Sequence, residues 1–581
     1  MKRFQHYWIL AGVLLLGAIL RFWQLDLKPL WMDEVITALF STGHTYQDVP
    51  TGKALPLSAF EQVFSLNWQA TCAQIGETIA VQSVHPPLFF CGMHHWLRWV
   101  DGLPLSWVWK LRSLPALFGV GAIAALYLLN RLAFSPKAGL MGAALMAVSP
   151  FAVYLSQEAR HYTLPMLLVI LALVGLYLML IDLQKQRFRT FVWLGWIGIN
   201  SLGFYVHYFF LLAFFAQSVT LLLWASRIAW SNLKQSRTEG NNQGFHSILC
   251  LNWRSIISSL LLPCLIAILL VGLTYLPWLS TFLSHVSRPE TDWMKVQGFN
   301  WQSLIAPLYQ LLIGWIAMVA AFPVEQQPFW IIIFWGVLML LFIVWLSWQI
   351  KVGFRHLWRS PQSHLGAWML GTFTLIVVLE FLAIAYLFRT DLTQTLRYNF
   401  IYFPAVCALI GACLSERSPV YSQTQRTGFQ VSKNLQPIAI VLFISLLSSF
   451  FVVQDWVFQK SYNPNQVAQN LSIDPTNNRL VISVYQNYQD MALGLSFALE
   501  LHRQEQQEKN FSHTHFALLP QTKGYDQVWA DLAQLKQPFS LPINLWVISP
   551  GLKRRDFRSQ LFLRDRAGTS QPCDIDPAQY H

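Results

Sequence analysis

The chain has 581 residues, of which 54% are hydrophobic and only 12% charged, against about 25% charged in an ordinary soluble domain. That balance excludes a water-soluble globular enzyme. Apolar runs of about 20 residues, each able to cross roughly 30 Å of hydrocarbon, recur along it and mark a polytopic membrane protein. The net charge of +12 is no sign of nucleic-acid binding. The cations sit in short loops between apolar runs, where the positive-inside rule accounts for them.

Met1 to Leu20 begins like a signal peptide, with Lys2 and Arg3 before an apolar core. Arg21, Phe22 and Trp23 follow where a small-residue cleavage site would be needed, so this segment reads as an uncleaved first transmembrane helix. Further spans are expected near 107–130, 138–155, 162–183, 190–206, 207–226, 255–278, 329–350, 365–387, 398–415 and 437–456. Two apolar stretches, 86–100 and 302–322, are ambiguous.

Charge decides between topologies. With both ambiguous stretches left at the outer surface as interfacial or re-entrant pieces, loops 131–137, 184–189, 227–254, 351–364 and 416–436 fall inside. They hold fifteen cations, among them Arg254, Arg417 and Arg426, against Glu239 and Glu416. The first outer loop, 26–106, has the reverse balance: three cations against Asp26, Asp33, Glu34, Asp48, Glu61, Glu77 and Asp101. The expectation is eleven spans, the N-terminus inside and the C-terminus outside. The transmembrane domain is placed at 1–456 and an extracytoplasmic domain at 457–581.

Beyond 457 the composition turns polar. Residues 479–485, 515–520 and 543–549 read as strands, with helices at 488–505 and 526–536 between them. This β-α-β-α-β order suggests a small α/β unit without a Gly-rich phosphate loop. The fold class is an all-α polytopic bundle with a small C-terminal α/β domain. The seven cysteines form no CxxC or ligand-spaced set, so metal and redox roles are not indicated, and pairing among Cys72, Cys91 and Cys573 is left open.

On this topology five clusters share the outer side: Asp33-Glu34, His85-Pro86-Pro87-Leu88, Gln157-Glu158-Ala159-Arg160-His161-Tyr162, His207-Tyr208 and Arg397-Tyr398. Singly each has a plain explanation. An acidic pair on a loop is ordinarily just solvated, prolines start helices, an arginine at a helix end snorkels, and a histidine on an apolar face usually packs. Together, two acids, two arginines and several imidazoles and phenols at one membrane surface suit a reaction on an anionic, lipid-linked substrate.

The order Arg21…Pro29-Leu30-Trp31-Met32-Asp33-Glu34, His85-Pro86-Pro87-Leu88, Gln157 to Tyr162, Tyr205-Val206-His207-Tyr208 and Arg397-Tyr398 before Pro404 resembles the GT-C integral-membrane glycosyltransferases. The nearest branch is that of the protein O-mannosyltransferases and the aminoarabinose transferases of lipid A. The resemblance covers roughly residues 1–415. It implies a polyprenyl-phosphate-sugar donor, a lipid, glycan or protein acceptor, and inverting transfer on the extracytoplasmic side; short loops without an obvious sorting tail point to a bacterial inner membrane. Catalysis would fall to Asp33 as base, with Glu34 sharing the role or holding the acceptor. Substrate binding would fall to His85, Glu158, Arg160, Tyr162, His207, Arg397 and Tyr398. The branch resembles metal-independent members, so no cofactor is assigned, although carboxylates such as Asp33 and Glu158 suit Mg²⁺ and Mn²⁺. The rival reading is a multi-pass transporter or flippase of lipid-linked glycans. Such proteins place charge at mid-membrane, which here is confined largely to Glu380. A non-catalytic assembly subunit is a third.

Overall fold

The structure, a computed structural model, describes residues 3–239, 257–296, 298, 301–325, 327–416, 430–460, 462–471, 478–507, 514–535, 543–549, 560–564 and 570–574. Arg254, Arg417 and Arg426 of the expected inner loops, and Cys250, lie outside these residues. Among the described residues seven helices are long and apolar enough to cross a membrane. They are Phe4–Phe22, Trp107–Ala133, Thr163–Gln184, Phe210–Asn232, Phe329–Arg359, His364–Leu387 and Gln436–Val453. Two bent pairs add Pro136–Val148 with Pro150–Ser156 at 59°, and Ser259–Thr274 with Leu276–Val286 at 68°. Thr190–Phe204 and Phe403–Ser415 are apolar but shorter. Helix length and composition thus give seven to nine crossings where the apolar runs suggest eleven. The difference lies in these last two short helices and in whether each bent pair counts as a crossing. The ambiguous stretches form the helices Leu88–Val100 and Trp301–Ala317, of 13 and 17 residues.

The chain divides into two compact units. The first comprises Met1–Leu25, Val84–Phe89 and Arg112–Phe458, and the second Asp26–Ser83, Phe90–Leu111 and Gln459–His581. In the first unit the helices pack through small residues, as membrane helices do when no water drives them together. A Cβ on Gly411 would come within 2.8 Å of the Gly142 backbone, and one on Gly353 would collide with the Cys413 carbonyl. Asn130 ties the same contact by donating to Ala138 O at 3.2 Å and Ala408 O at 3.0 Å. The outward surface of Phe329–Arg359 is a run of exposed side chains such as Phe334, Leu341 and Val344, which lipid tails cover.

The bend at Ser149-Pro150 sets the geometry at one end of this unit. Proline has no N–H, so the Met146 carbonyl four residues back loses its helical donor. Arg21, fully buried, supplies the replacement: it donates to Met146 O at 2.8 Å and to Ala147 O and Gly17 O at 3.0 Å each. Ser449 donates to the next carbonyl, Val148 O, at 2.7 Å. Ser149 accepts from Ala152 N–H and so caps the helix that restarts after the break.

The second unit holds a sheet with strands β1 (Leu55–Pro56), β2 (Asn478–Tyr485), β3 (Thr514–Pro520) and β4 (Ile543–Ile548), in the order β1-β3-β2-β4. β2 runs parallel to β3 and β4, and β1 is antiparallel to β3. Alternation divides β2 between two faces. Leu480, Ile482 and Val484 pack with Trp529 and Leu532 of helix Tyr525–Gln534. On the other face Ser483 lies so close to Gly494 of helix Tyr488–Gln507 that a Cβ there would meet its Oγ at 2.6 Å. These strands and helices match those expected from the sequence; β1 does not appear in that reading. Cys72 and Cys91 form a disulfide between helices Cys72–Gln82 and Leu88–Val100, while the Cys573 side chain is outside the described residues.

Arg21→Leu strands the Met146 and Ala147 carbonyls in a dry interior. At about 1–3 kcal/mol for each unsatisfied buried group, thermal unfolding in detergent is expected to show a clearly lowered midpoint. Arg21→Lys, which keeps a donor, should lose less.

Candidate active site

Three connections and one 3-10 turn bring a cationic cluster together within the first unit. The turn 157–162 links helix Pro150–Ser156 to helix Thr163–Gln184. The Gln157 side-chain amide holds it in place, donating to Leu20 O at 3.2 Å and Trp23 O at 3.1 Å. Arg160 N–H donates to Glu158 O at 2.7 Å, which tightens the turn and buries Glu158, Arg160, His161 and Tyr162. The His85-Pro86-Pro87 segment is pinned by Leu88 N–H, which donates to Tyr205 O at 3.1 Å. Prolines at 86 and 87 fix the backbone there and leave no competing donors.

The side chains then meet. Arg160 Nη2 lies 3.3 Å from His85 Nε2. The His161 ring stands 5.0 Å from His85 and 4.6 Å from His207, centroid to centroid. The guanidinium carbons of Arg160 and Arg397 lie 5.7 Å and 5.9 Å from the centre of the Tyr162 ring, and Arg397 also lies 5.8 Å from that of Tyr398. Each is within the range of cation–π attraction. Phe400 closes one side, 4.9 Å from His207 and 5.8 Å from Tyr162.

Burial lowers the pKa of His85, His161 and His207 well below 6.5, and the neighbouring Arg160 and Arg397 charges lower each further. For His161 the adjacent His207 ring ranks above the arginines. The imidazoles are therefore neutral near pH 7, and the positive charge of the cluster resides on the two guanidiniums. Two planar forks with neutral donors around them make a site for a phosphate-like anion.

Of the residues singled out from the sequence, His85, Arg160, Tyr162, His207, Arg397 and Tyr398 share this cluster, and Glu158 lies in the same turn. Asp33 and Glu34 belong to the second unit. They occupy the first turn of helix Met32–Ser41, not a loop as the sequence suggested. Carboxylates are favoured there by the helix dipole, and both side chains are buried. Asp33 and Glu158, the pair considered for a divalent ion, thus fall in different units. Among the described residues a metal-like grouping is formed by Cys72, Cys91 and His95, whose two sulfurs are joined in the disulfide.

Sequence reasoning passed over two residues. His161 stands inside the quoted motif without a role, yet it is the ring that bridges His85 and His207. His285 is buried near the end of helix Leu276–Val286, its charge bears on His85, and its Nδ1 lies 2.6 Å from the Tyr208 hydroxyl. That hydroxyl also accepts from Trp278 Nε1 at 3.1 Å, and burial pushes the phenol up to about 12. No motif flags His285; the sole signal is a histidine closing an apolar helix.

The sequence profile of the dolichyl-phosphate-mannose-protein mannosyltransferases matches residues 98–237. This segment contains the 157–162 turn and His207. No curated protein sequence matches the chain. Among solved structures, ArnT from Cupriavidus metallidurans bound to undecaprenyl phosphate aligns over 88% of this chain and 90% of its own, at 11% identity and a TM-score of 0.45. The archaeal oligosaccharyltransferase AglB from Archaeoglobus fulgidus, in complex with an inhibitory peptide and a dolichol-phosphate, aligns over 86% of this chain. The aligned part is 64% of AglB, at 12% identity and a TM-score of 0.41. The profile match takes in Arg160, His161, Tyr162 and His207, while His85, Arg397 and Tyr398 lie outside it.

The lowered imidazole pKa values fix the sign of a pH effect. Above about 6.5 the three rings are neutral folded or unfolded and contribute no pH dependence. Below it the unfolded chain binds protons that the folded chain refuses, so stability falls as pH falls. Each such histidine contributes a slope of about 1.4 kcal/mol per pH unit. Unfolding midpoints measured from pH 7.5 down to 5 should decline, and His161→Phe should flatten the decline.

Proposed function

We propose that the chain is a membrane glycosyltransferase of the GT-C type. It moves a sugar from a polyprenyl-phosphate carrier to a lipid, glycan or protein acceptor at the extracytoplasmic surface. The observation that carries this reading is the pair of guanidiniums, Arg160 and Arg397, gathered on Tyr162 beside three neutral imidazoles. An anionic leaving group is what such a cluster is built to receive. The profile match and the order of the motifs support the same reading. The Cys72–Cys91 disulfide supports an outer location for loop 26–106, since disulfides persist in oxidising compartments.

In the proposed step an acceptor hydroxyl oxygen attacks the anomeric carbon from the face opposite the phosphate. The carbon–oxygen bond to the phosphate breaks and its electron pair stays on the phosphate oxygen. The acceptor proton passes to the Asp33 carboxylate, and Glu34 holds the acceptor. Arg160 and Arg397 take up the charge that grows on the leaving phosphate, which is commonly the largest catalytic contribution. His85 and Tyr162 add hydrogen bonds, and Glu158 orients Arg160.

Purified protein incubated with radiolabelled polyprenyl-phosphate sugars and a membrane lipid extract should release free polyprenyl phosphate. Asp33→Asn should lower turnover by about 10²–10⁴-fold, the worth of a positioned base, with the protein still folded in the membrane. Undiminished release by this variant removes the base assignment and leaves the phosphate site standing. Arg160→Lys keeps the charge but loses the planar fork, and should cost at least about tenfold in kcat/KM, roughly 1.4 kcal/mol. Sugar that changes side of the membrane without becoming covalently attached would establish a transporter instead.

A further inference from the structure

The second unit contains a cavity of about 280 Å³ that the transfer chemistry does not use. Its wall includes Phe64 and Trp107, stacked at 5.5 Å with 16° between their planes. The Trp107 indole is fixed in orientation, because Nε1 donates to Glu61 Oε1 at 3.0 Å. The second oxygen of Glu61 lies 3.1 Å from His502 Nε2. Asp101 presents an exposed carboxylate at the rim, and the Lys110 ammonium donates to the Asp101 backbone carbonyl at 2.6 Å. Ser65 completes the rim with an exposed hydroxyl.

Flat aromatic surface, carboxylates and a hydroxyl around one small chamber form a chemically specific set. The C–H face of a pyranose packs on an aromatic wall, while its hydroxyls donate to carboxylate oxygens. The volume is near the lower end of ligand pockets, roughly 300–1,000 Å³, which admits one ring and not an oligosaccharide. The carboxylates of Glu61 and Asp101 outnumber the single Lys110 ammonium on the lining, so the net negative charge disfavours an anionic sugar. We propose that this cavity is an accessory subsite for a single neutral or amino-bearing pyranose, such as one unit of a glycan or glycolipid. The inference concerns binding alone and stands apart from the donor reaction.

Full-length protein in lipid nanodiscs, examined by saturation-transfer NMR with the methyl glycosides of mannose, glucosamine and glucuronic acid, tests it. The first two should give saturable transfer and the third none. Glu61→Gln should weaken binding roughly fivefold, the effect of one charge-assisted hydrogen bond. Ser65→Trp, at an exposed position, should abolish binding by filling the chamber while the unfolding midpoint stays unchanged. Glucuronide binding as strong as mannoside binding, signals unaffected by Ser65→Trp, or no saturable transfer from any glycoside would overturn the proposal. So would displacement of the glycosides by phosphoethanolamine, which would make the cavity a lipid-headgroup site. Glycoside binding without any polyprenyl-phosphate release in the donor assay would uphold the subsite and count against the transferase reading alone.

Discussion

The end of the helical unit that carries the arginine–histidine cluster depends on one interruption of a backbone ladder, at Ser149-Pro150. A span that stayed helical through this point would carry residues 157–162 straight on along its axis. The missing proline N–H frees the Met146 carbonyl, and a 59° turn follows. Orphaned carbonyls in a lipid-enclosed interior are costly, because no water can serve them. Arg21 and Ser449 answer them from two other helices, locking three segments to one bend. Gln157 repeats the device a turn further on, fastening the chain to Leu20 and Trp23. Arg21 opens the motif series in the sequence, yet its part is architectural: it fixes where Arg160 and His161 stand.

The electrostatics of the cluster follow from that framework. Arg160 is buried and Arg397 half-buried among aromatic rings, so the field of their charges is stronger than it would be in the open. Burial first, and then the arginine charges, hold the neighbouring imidazoles in their neutral form.

Much of this was legible in the sequence, for physical reasons that differ by region. The C-terminal strands and helices follow from alternation in Leu480–Val484 and from helical spacing in Tyr488–Gln507, signals local enough to need no partner. The apolar runs likewise mark the helices. What sequence could not show was how two of the runs bend or how short two others are, since apolar content does not report the crossing angle. Asp33 and Glu34, read as part of the outer loop after the first apolar run, stand instead on a helix. The helix starts at Met32, where an N-terminal turn accommodates carboxylates well. His285 stayed hidden because its importance comes from contacts with Tyr208 across 77 positions of chain, which no local pattern encodes.

The two-residue strand β1 has a consequence for biogenesis. Leu55 pairs with Phe516 and Pro56 with His515, so an edge made early waits for a partner made about 460 residues later. At typical synthesis rates of roughly 5–20 residues per second, that interval is on the order of 20–90 s. During it the nascent first loop lacks the sheet it will complete. The Cys72–Cys91 bridge closes over a sequence separation of 19 residues and can form as soon as both thiols emerge into an oxidising space. The bridge thus staples helix Cys72–Gln82 to helix Leu88–Val100 early, while the β1 edge itself lies outside the closed segment. A two-residue strand carrying a proline is also a poor template for pairing with other chains in the meantime.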